Sequence, residues 1–383
     1  MNEVSMSKIW ANSADSHFLE PDGLYEDRLP ASLAARLPRS VKAADGKSET
    51  VYIDGEKFER RLPTPIKEGE FAGETIGTLS SRPPGAADPV LRLKDLDQEG
   101  IWAEITFPSL GMWGNLVKDP ELIREGARAQ NDWAYETLVG TSPRYVPTAT
   151  VPLVDVADAV AEIERVAEMG YFAAFLPVST PPGTPDWNDD QWEPVWAALE
   201  AANLLAAFHI GTDTNPEGGP PVAFRGPGGA ILNYVETAYG GQRAATKMIT
   251  SGALMRHPNL KVLIAEGGAS WAPALGDRMD EAYRQHGMFV RPKLDKLPSQ
   301  FIRDQVYVSF QHDVTAVPAY QSMNYTNIMW GSDYPHLEGT YGHTQKTLSE
   351  LFDGVDEKVL HHITQGAFEE LFPKVPKAPA NEK

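Results

Sequence analysis

Histidine and carboxylate side chains recur at the ends of apolar, strand-like runs in this sequence. Asp15 and His17 close the first such run, and Glu20 follows them in the segment ADSHFLEP. Five more residues of these two types take the equivalent place after later runs: His209, Glu266, His312, Asp333 and His336. Imidazole and carboxylate groups without a thiolate are typical ligands of Zn, Mn or Fe. The set therefore predicts a metal centre, with a hydrogen-bonded network that binds no metal as the alternative.

Such a centre requires elements that bring distant chain segments to one place. Short apolar runs alternate with helical patterns along the chain, at 8–15, 101–107, 145–151, 171–177, 204–210, 261–266, 306–310 and 327–331. Nearly continuous apolar runs are typical of parallel strands that are covered on both faces. Eight such units predict an α/β fold, a (β/α)₈ TIM barrel whose active site lies where the strands end. An open doubly wound sheet is disfavoured, because no Gly-rich phosphate motif follows the first strand.

The helices and the connections are predicted from their ends. We expect helices at about 91–99, 119–139, 156–169 and 189–203, the third of them capped by Asp155 and ended by Gly170. Residues 21–90 are rich in Pro and Gly and show little periodicity. Long connections of this kind are usually functional or disordered. We therefore interpret 1–383 as a single barrel domain with a long insertion after the first strand, and 21–90 as a lid or an oligomer interface.

The composition excludes several classes of protein and site. The 383 residues include 34 Lys plus Arg and 53 Asp plus Glu, which gives a net charge of −19. Nucleic-acid binding needs clustered basic residues and is disfavoured. The absence of Cys excludes disulfides, Cys-ligated zinc and a thiol nucleophile. Neither a membrane span of about 18 apolar residues nor a signal peptide is visible, so we expect a cytoplasmic protein without membrane partners.

The predicted barrel indicates which of the His, Asp and Glu side chains are metal ligands. Asp15 and His17 lie two residues apart, so on an extended strand both side chains project to the same side. Three or four protein ligands and an open position make a catalytic metal site. The predicted ligand set has seven members: Asp15, His17, Glu20, His209, Glu266, His312 and Asp333. We expect a divalent metal (Zn, Mn or Fe), one per chain or two.

At these residues the sequence resembles the amidohydrolase superfamily. Within it, the similarity is to the amidohydrolase-related branch that contains aminocarboxymuconate-semialdehyde decarboxylase and the aromatic-acid decarboxylases. The motifs are ADSHFLEP, FPSLG at 107–111, HPNLKVLIAEGGASW at 257–271 and IMWGSDYPH at 328–336, in this order. The resemblance implies a metal at the barrel mouth, held by Asp15, His17, His209 and Asp333, and a role for Asp333 in proton transfer.

Two departures from this resemblance bear on the chemistry. Many members have His-x-His on the first strand, where this chain has Asp15-Ser16-His17. The decarboxylases usually place a catalytic His at the end of the sixth strand, where this chain has Glu266. Seven candidate ligands exceed the needs of one metal. O₂-activating di-iron sites bind two metals through a carboxylate-rich set of ligands. A few members of the branch are similar dinuclear hydroxylases.

The leading hypothesis is a metal-dependent hydrolase or non-oxidative decarboxylase that acts on a small carboxylate-bearing or aromatic substrate. Its catalytic residues would be Asp333, Glu266 and His312, and its substrate contacts His336 and Trp271. One alternative is an O₂-dependent dinuclear iron or mixed-metal hydroxylase. Another is a non-catalytic paralogue that supports an active partner chain. The resemblance implies a homodimer or higher oligomer, and a hetero-oligomer with a paralogue is the further option.

Overall fold

In the described part of the chain, nine parallel strands form the central sheet, and a separate three-stranded sheet lies outside it. The computed structural model describes residues 8–45, 48–61, 83–214 and 224–381. The strands in these ranges are β1 (Ala11–Ser13), β2 (His17–Phe18), β3 (Arg39–Lys42), β4 (Ser48–Ile53), β5 (Glu56–Arg61), β6 (Ile101–Pro108), β7 (Tyr145–Thr150), β8 (Ala173–Pro177), β9 (Leu205–His209), β10 (Val262–Ala265), β11 (Val306–Phe310) and β12 (Ile328–Trp330). The central sheet has the order β1-β6-β7-β8-β9-β10-β11-β12, and β2 also pairs with β6.

Helices cover the outside of this sheet. They are α1 (Ala31–Ala34), α2 (Pro89–Glu99), α3 (Pro120–Ala134), α4 (Val156–Met169), α5 (Glu193–Ala201), α6 (Gly229–Thr250), α7 (Ala253–Arg256), α8 (Trp271–Gln285), α9 (Pro298–Gln305), α10 (Ala316–Met323), α11 (Thr344–Leu351), α12 (Glu357–His361) and α13 (Ala367–Leu371). No helix in the described part of the chain is both long enough and apolar enough to cross a membrane.

The sheet closes between its first and last strands. The Ala14 amide donates to the Trp330 carbonyl at 2.9 Å, and the Asp333 amide donates to the Asp15 carbonyl at 2.8 Å. Ser16 and Tyr334 form an isolated parallel bridge one step farther along. Eight strand positions therefore surround one axis, which confirms the predicted (β/α)₈ barrel. The first position is divided between β1 and β2, a break that the sequence analysis did not predict.

Alternate side chains fill the barrel interior. On β9, Leu205 and Ala207 belong to the interior cluster, whereas Ala206 and Phe208 pack against the surrounding helices. Because successive strand side chains point to opposite faces, His209 continues the inward series. The same alternation places the residues that follow the ends of the other strands above the interior core. The fold thus points these positions at one mouth of the barrel.

The ends of α4 agree with the prediction, and the predicted insertion contains strands. The Asp155 side chain accepts hydrogen bonds from the first turn of α4, and Gly170 ends that helix at φ 103°, as predicted. The predicted helix at 119–139 is α3 followed by a π-helical turn. Within 21–90, β3–β5 form an antiparallel sheet that was not predicted from the sequence, and β4 shows the alternating burial of a half-buried strand. The role of residues 21–90 as a lid or an oligomer interface stays a prediction.

A buried ion pair supports the closure of the barrel. The Arg92 guanidinium on α2 pairs with Glu104 of β6, and both side chains are fully buried. The guanidinium lies 4.4 Å from the Tyr334 ring centre and also hydrogen-bonds the Tyr334 carbonyl at 3.4 Å. Arg92 therefore links the second strand position of the barrel to the loop that follows β12.

Loss of this guanidinium should destabilise the fold. We expect Arg92→Met to lower the free energy of unfolding by about 3–5 kcal/mol, because Glu104 is left as an uncompensated buried charge. Arg278 pairs with Glu281 at the surface, with side chains 76% and 57% exposed. Arg278→Met should therefore cost less than about 1 kcal/mol. Urea unfolding of the two variants measures the difference, and equal effects would contradict the assigned role of Arg92.

Candidate metal centre

Five of the seven predicted ligands meet at the mouth of the barrel. Asp15, His17, His209 and Asp333 are each at most 2% exposed, and the Glu266 side chain is 11% exposed. His336, predicted as a substrate contact, joins them from the loop that follows β12. Six ligand-type side chains thus share a site that the fold keeps largely out of water.

The distances between these side chains are short. The His209 Nε2 atom lies 3.3 Å from the Asp15 carboxylate and 3.6 Å from that of Glu266. The His17 Nε2 atom lies 3.6 Å from Asp333 Oδ1, and the His336 Nδ1 atom lies 2.8 Å from the same oxygen. Two ligand atoms at right angles on one first-row ion, each about 2.1 Å away, are about 3 Å apart. The spacing is therefore typical of side chains that share a cation.

Most of the facing atoms have no hydrogen-bond partner. Both carboxylate oxygens of Asp15 and of Asp333 are buried without one, as are the His17 and His209 Nε2 atoms. The second ring nitrogens of the two histidines are anchored, since His17 Nδ1 lies 3.3 Å from the Pro108 carbonyl and His209 Nδ1 lies 2.8 Å from that of Ile210. A backbone carbonyl on one nitrogen is how proteins orient a metal-binding imidazole. The residues thus fit a divalent cation.

Burial and mutual repulsion shift the pKa values of these groups. Burial, and then the charge of Asp333, raise the pKa of Glu266 well above its usual range. Burial, and then Asp15, do the same to the pKa of Asp333. Burial lowers the pKa of His17. Burial also acts to lower the pKa of His209, but Asp15, Glu266 and the Ile210 carbonyl together raise it above its usual value. Without a cation, protons must compensate the negative charge of the site.

The backbone is strained where it presents two of the carboxylates. Glu266 has φ 64° and Asp333 has φ 52°, a left-handed conformation that residues other than glycine rarely adopt. The Glu266 amide is held by the Ser309 hydroxyl at 2.9 Å. A Cβ atom on Gly331 would come within 2.8 Å of the Asp15 Cβ atom, so only glycine lets β12 approach the first strand here. Such strain costs about 1–3 kcal/mol per residue and is concentrated at functional sites.

The structure does not bring Glu20 and His312 into this cluster, although both were predicted as ligands and His312 also as catalytic. The Glu20 carboxylate accepts the backbone amides of residues 109–111 at 2.9–3.0 Å. His312 is exposed, and its Nε2 atom lies 3.1 Å from the Glu338 carbonyl oxygen. Both residues follow a barrel strand, but the chain turns away from the axis before it reaches them. Glu20 organises the loop after β6 instead.

A cavity of about 220 Å³ opens above the cluster. It is lined by His17, Ser109, Met112, Trp113, Leu116, His209, Ile210, Gly211, Thr212, Asp213, Tyr234, Thr237, Glu266, His336 and Glu338. Trp271, a predicted substrate contact, is not among these residues, and its indole N–H donates to the Gly268 carbonyl at 2.9 Å. Tyr234 and Thr237, which α6 carries to the cavity, were not among the predicted site residues. No local sequence pattern marks them, because their place in the cavity depends on the path of α6 in the folded protein.

The amidohydrolase family model matches residues 81–373. The chain belongs to the amidohydrolase family. This amidohydrolase is similar to the 2-amino-3-carboxymuconate-6-semialdehyde decarboxylase of Dictyostelium discoideum, with 22% identity over 286 residues. The aligned region covers 71% of this chain and 74% of the relative.

Two solved structures show the same fold. An amidohydrolase from Mycobacterium avium subsp. paratuberculosis K-10 superposes with a TM-score of 0.75 at 20% identity, over 94% of this chain and 97% of that one. A 5-carboxyvanillate decarboxylase from Novosphingobium aromaticivorans DSM 12444, solved with bound manganese, has a TM-score of 0.66 at 17% identity, over 95% and 97% of the two chains.

The two acids of the first barrel segment should behave differently on substitution. We expect Asp15→Asn to weaken metal binding by more than the roughly 10–100-fold that outer-shell changes cost, because it removes a ligand. Glu20→Gln should keep the metal content of the wild type, since Glu20 contacts backbone amides. Metal analysis after dialysis against a defined free-metal concentration measures both variants. Loss of metal from Glu20→Gln with correct folding would show that Glu20 is a ligand after all.

Metal should stabilise the protein more strongly as the pH rises. In the metal-free protein the raised pKa values of Glu266 and Asp333 favour folding below the carboxyl pKa of the unfolded chain, about 4. That contribution is lost as the pH rises through the folded-state pKa, whereas a bound cation compensates the ionised groups. At a metal concentration of 100 Kd the gain is about 2.7 kcal/mol. Melting curves with Mn²⁺ and with chelator, from pH 5 to 8, should diverge, and a constant difference would contradict the assignment.

Proposed function

We propose that this amidohydrolase is a metal-dependent, non-oxidative decarboxylase of small aromatic carboxylates. The observation that carries the proposal is the convergence of Asp15, His17, His209 and Asp333, with unpartnered donor atoms, beside a cavity that His17 and His209 line. The Dictyostelium relative supports the reaction class, and the manganese-containing structural neighbour supports a divalent ion as cofactor.

Asp15, His17, His209 and Asp333 would hold the ion. When bound, the ion supplies Lewis acidity towards an oxygen of the substrate. The two imidazoles keep their orientation through the carbonyl contacts of Nδ1. The backbones of Asp15 and Asp333 are held together by the hydrogen bond that closes the barrel. The ligands are therefore positioned before the ion binds, which lowers the cost of assembling the site.

The cavity walls suit a single aromatic ring. Met112, Trp113, Leu116 and Ile210 provide apolar surface, and Tyr234 adds a phenol at the mouth. Pockets of this type bind ligands through apolar walls and a small number of placed polar groups. A ring held between these walls would direct its carboxylate towards the ligand cluster below.

Glu266 is the proposed proton donor. Decarboxylation breaks the bond between the ring carbon and the carboxylate carbon, CO₂ leaves, and the ring carbon keeps the electron pair and takes a proton. Glu266 lines the cavity, and burial raises its pKa well above the usual range, which favours the protonated form that a proton donor requires. His312 was the other candidate from the sequence, but it is exposed and lies outside the cavity lining.

Release of CO₂ without oxygen tests the proposal. Metal-loaded protein should release CO₂ from hydroxylated or methoxylated benzoates in an anaerobic chamber. Glu266→Gln should lower kcat by about 10²–10⁴-fold, the usual contribution of a general acid. Its matched control, His312→Ala, should stay near the wild-type rate. Strict dependence of turnover on O₂ would overturn the proposal.

One observation favours a second candidate, an O₂-dependent dinuclear hydroxylase. With His336 included, the cluster offers three carboxylates and three imidazoles. This composition resembles the carboxylate-and-histidine sets of di-iron proteins. Two metals including iron, with O₂ consumed when substrate is added, would favour the hydroxylase. The set of ligands argues against the non-catalytic paralogue. The oligomeric state and the cytoplasmic location remain predictions.

A further inference from the structure

The cavity above the ligand cluster has acidic side chains in its walls and no Lys or Arg. Asp213, Glu266 and Glu338 line it, and among the described residues the only basic members of the lining are histidines. The proposed substrate brings one carboxylate, which faces the metal. Any further charged group of the substrate has to be accommodated by these walls. The charge of the walls therefore bears on which aromatic carboxylates bind.

Asp213 has a basic partner outside the cavity lining. Its Oδ1 atom lies 2.8 Å from a guanidinium nitrogen of Arg243, and the Asp213 side chain is 16% exposed. The carboxylate also lies against the backbone of α6, where a Cβ atom on Gly240 would come within 2.5 Å of Asp213 Oδ2. Asp213 thus joins the segment after β9 to α6, and its negative charge is compensated.

The Glu338 carboxylate has no such partner. None of the ion pairs in the described part of the chain includes it, and the residue is exposed. Its charge nevertheless acts on the cavity. Burial, and then Asp15 and Glu338, raise the pKa of Asp333. Burial, and then Glu266 and Glu338, raise the pKa of Tyr234 to about 12, so the phenol in the wall is neutral near pH 7.

The loop that carries Glu338 is held in one conformation beside the cavity. The Thr340 amide donates to the Ser332 carbonyl at 2.9 Å, and both of these residues are fully buried. A Cβ atom on Gly339 would come within 2.6 Å of the Ser332 carbonyl oxygen, so only glycine allows the loop to fold back this closely. Glu338 is therefore a fixed charge at the rim, although its side chain is in contact with water.

We infer that the cavity selects an aromatic monocarboxylate that also carries a positively charged group, and that Glu338 is the residue that recognises this group. The inference rests on the proposed function, because it places the carboxylate of the substrate at the metal. A second carboxylate on the ring would lie near Glu338 with no Lys or Arg of the described lining to pair with it. An unpaired charge is costly to remove from water. Repulsion of the wrong ligand contributes to specificity as much as attraction of the right one.

The charge of the whole chain acts in the same direction. The net charge is −19, and the field of a protein changes the rate at which charged ligands reach its clefts. A zwitterionic substrate has no net charge and is not repelled, whereas a dianion is. Salt screens such interactions, with a Debye length of about 8 Å at physiological ionic strength. The preference against a dianion should therefore decrease when the salt concentration is raised.

A series of three substituents of similar size tests the inference. The compounds are 2-hydroxybenzoates with an aminomethyl, a hydroxymethyl or a carboxylate group, placed at ring position 4 and separately at position 5. We measure kcat/KM for CO₂ release by the Mn²⁺-loaded protein, and the affinity for each compound by calorimetry. The wild type should prefer the aminomethyl compound to the dicarboxylate by about tenfold or more, with the hydroxymethyl compound between them.

Substitution of Glu338 should change this preference. Glu338→Gln should reduce the ratio of the two kcat/KM values by about 3- to 10-fold, the effect of one partly exposed charge on two opposite charges. Glu338→Lys should reduce the ratio further and improve the binding of the dicarboxylate. The matched control is Glu350→Gln, which removes the same charge from a side chain that is 67% exposed on α11. It should keep the ratio of the wild type.

The two readouts separate this inference from the proposed function. CO₂ release with no preference for the positively charged compound, or an unchanged ratio in Glu338→Gln, would overturn the role of Glu338 and leave the decarboxylase proposal standing. A charge preference in binding that Glu338→Gln reduces, without CO₂ release from any of the compounds, would support the charge selectivity and overturn the decarboxylase.

Discussion

Three carboxylates and three imidazoles face one another away from water, and burying ionised groups in this way is energetically costly. The rest of the structure depends on how this cost is compensated. Ionised groups in such a setting need protons, partners or a cation. Here most of their donor atoms lack protein partners, and the pKa values of two carboxyls are raised. The site is therefore organised around a positive charge that the side chains do not supply.

The position of the site at the seam of the barrel follows from the same requirement. Asp15 and Asp333 come from the first and last strand positions, and the hydrogen bond between their backbones closes the sheet. Gly331 allows the first and last strand positions to approach each other. Arg92 hydrogen-bonds the Tyr334 carbonyl in the loop that follows β12. The contacts that close the sheet thus also bring two of the ligands together, and a defect in these contacts is expected to affect both the fold and the site.

Much of this could be predicted from the sequence because its signals are local. The eight apolar runs and the Asp155 cap depend on neighbouring residues, and the structure contains them within a few positions. The sheet β3–β5 was missed, since β3 and β5 consist mostly of polar and charged residues and lack the apolar runs on which the strand predictions depend. Tyr234 was missed because its role arises from the direction in which α6 leaves the barrel, which no local pattern records.

The sequence alone determined the chemistry of the ligands. Without Cys, any metal must be bound by nitrogen and oxygen, and strand-end positions put the right residues near one mouth. Only the tertiary structure decided which of them meet. Glu20, three residues after His17, is turned to backbone amides, and His312 is turned to the surface. His336 is instead brought back by the tight loop after Asp333, because the path of a loop is set by packing and hydrogen bonds between segments distant in the chain.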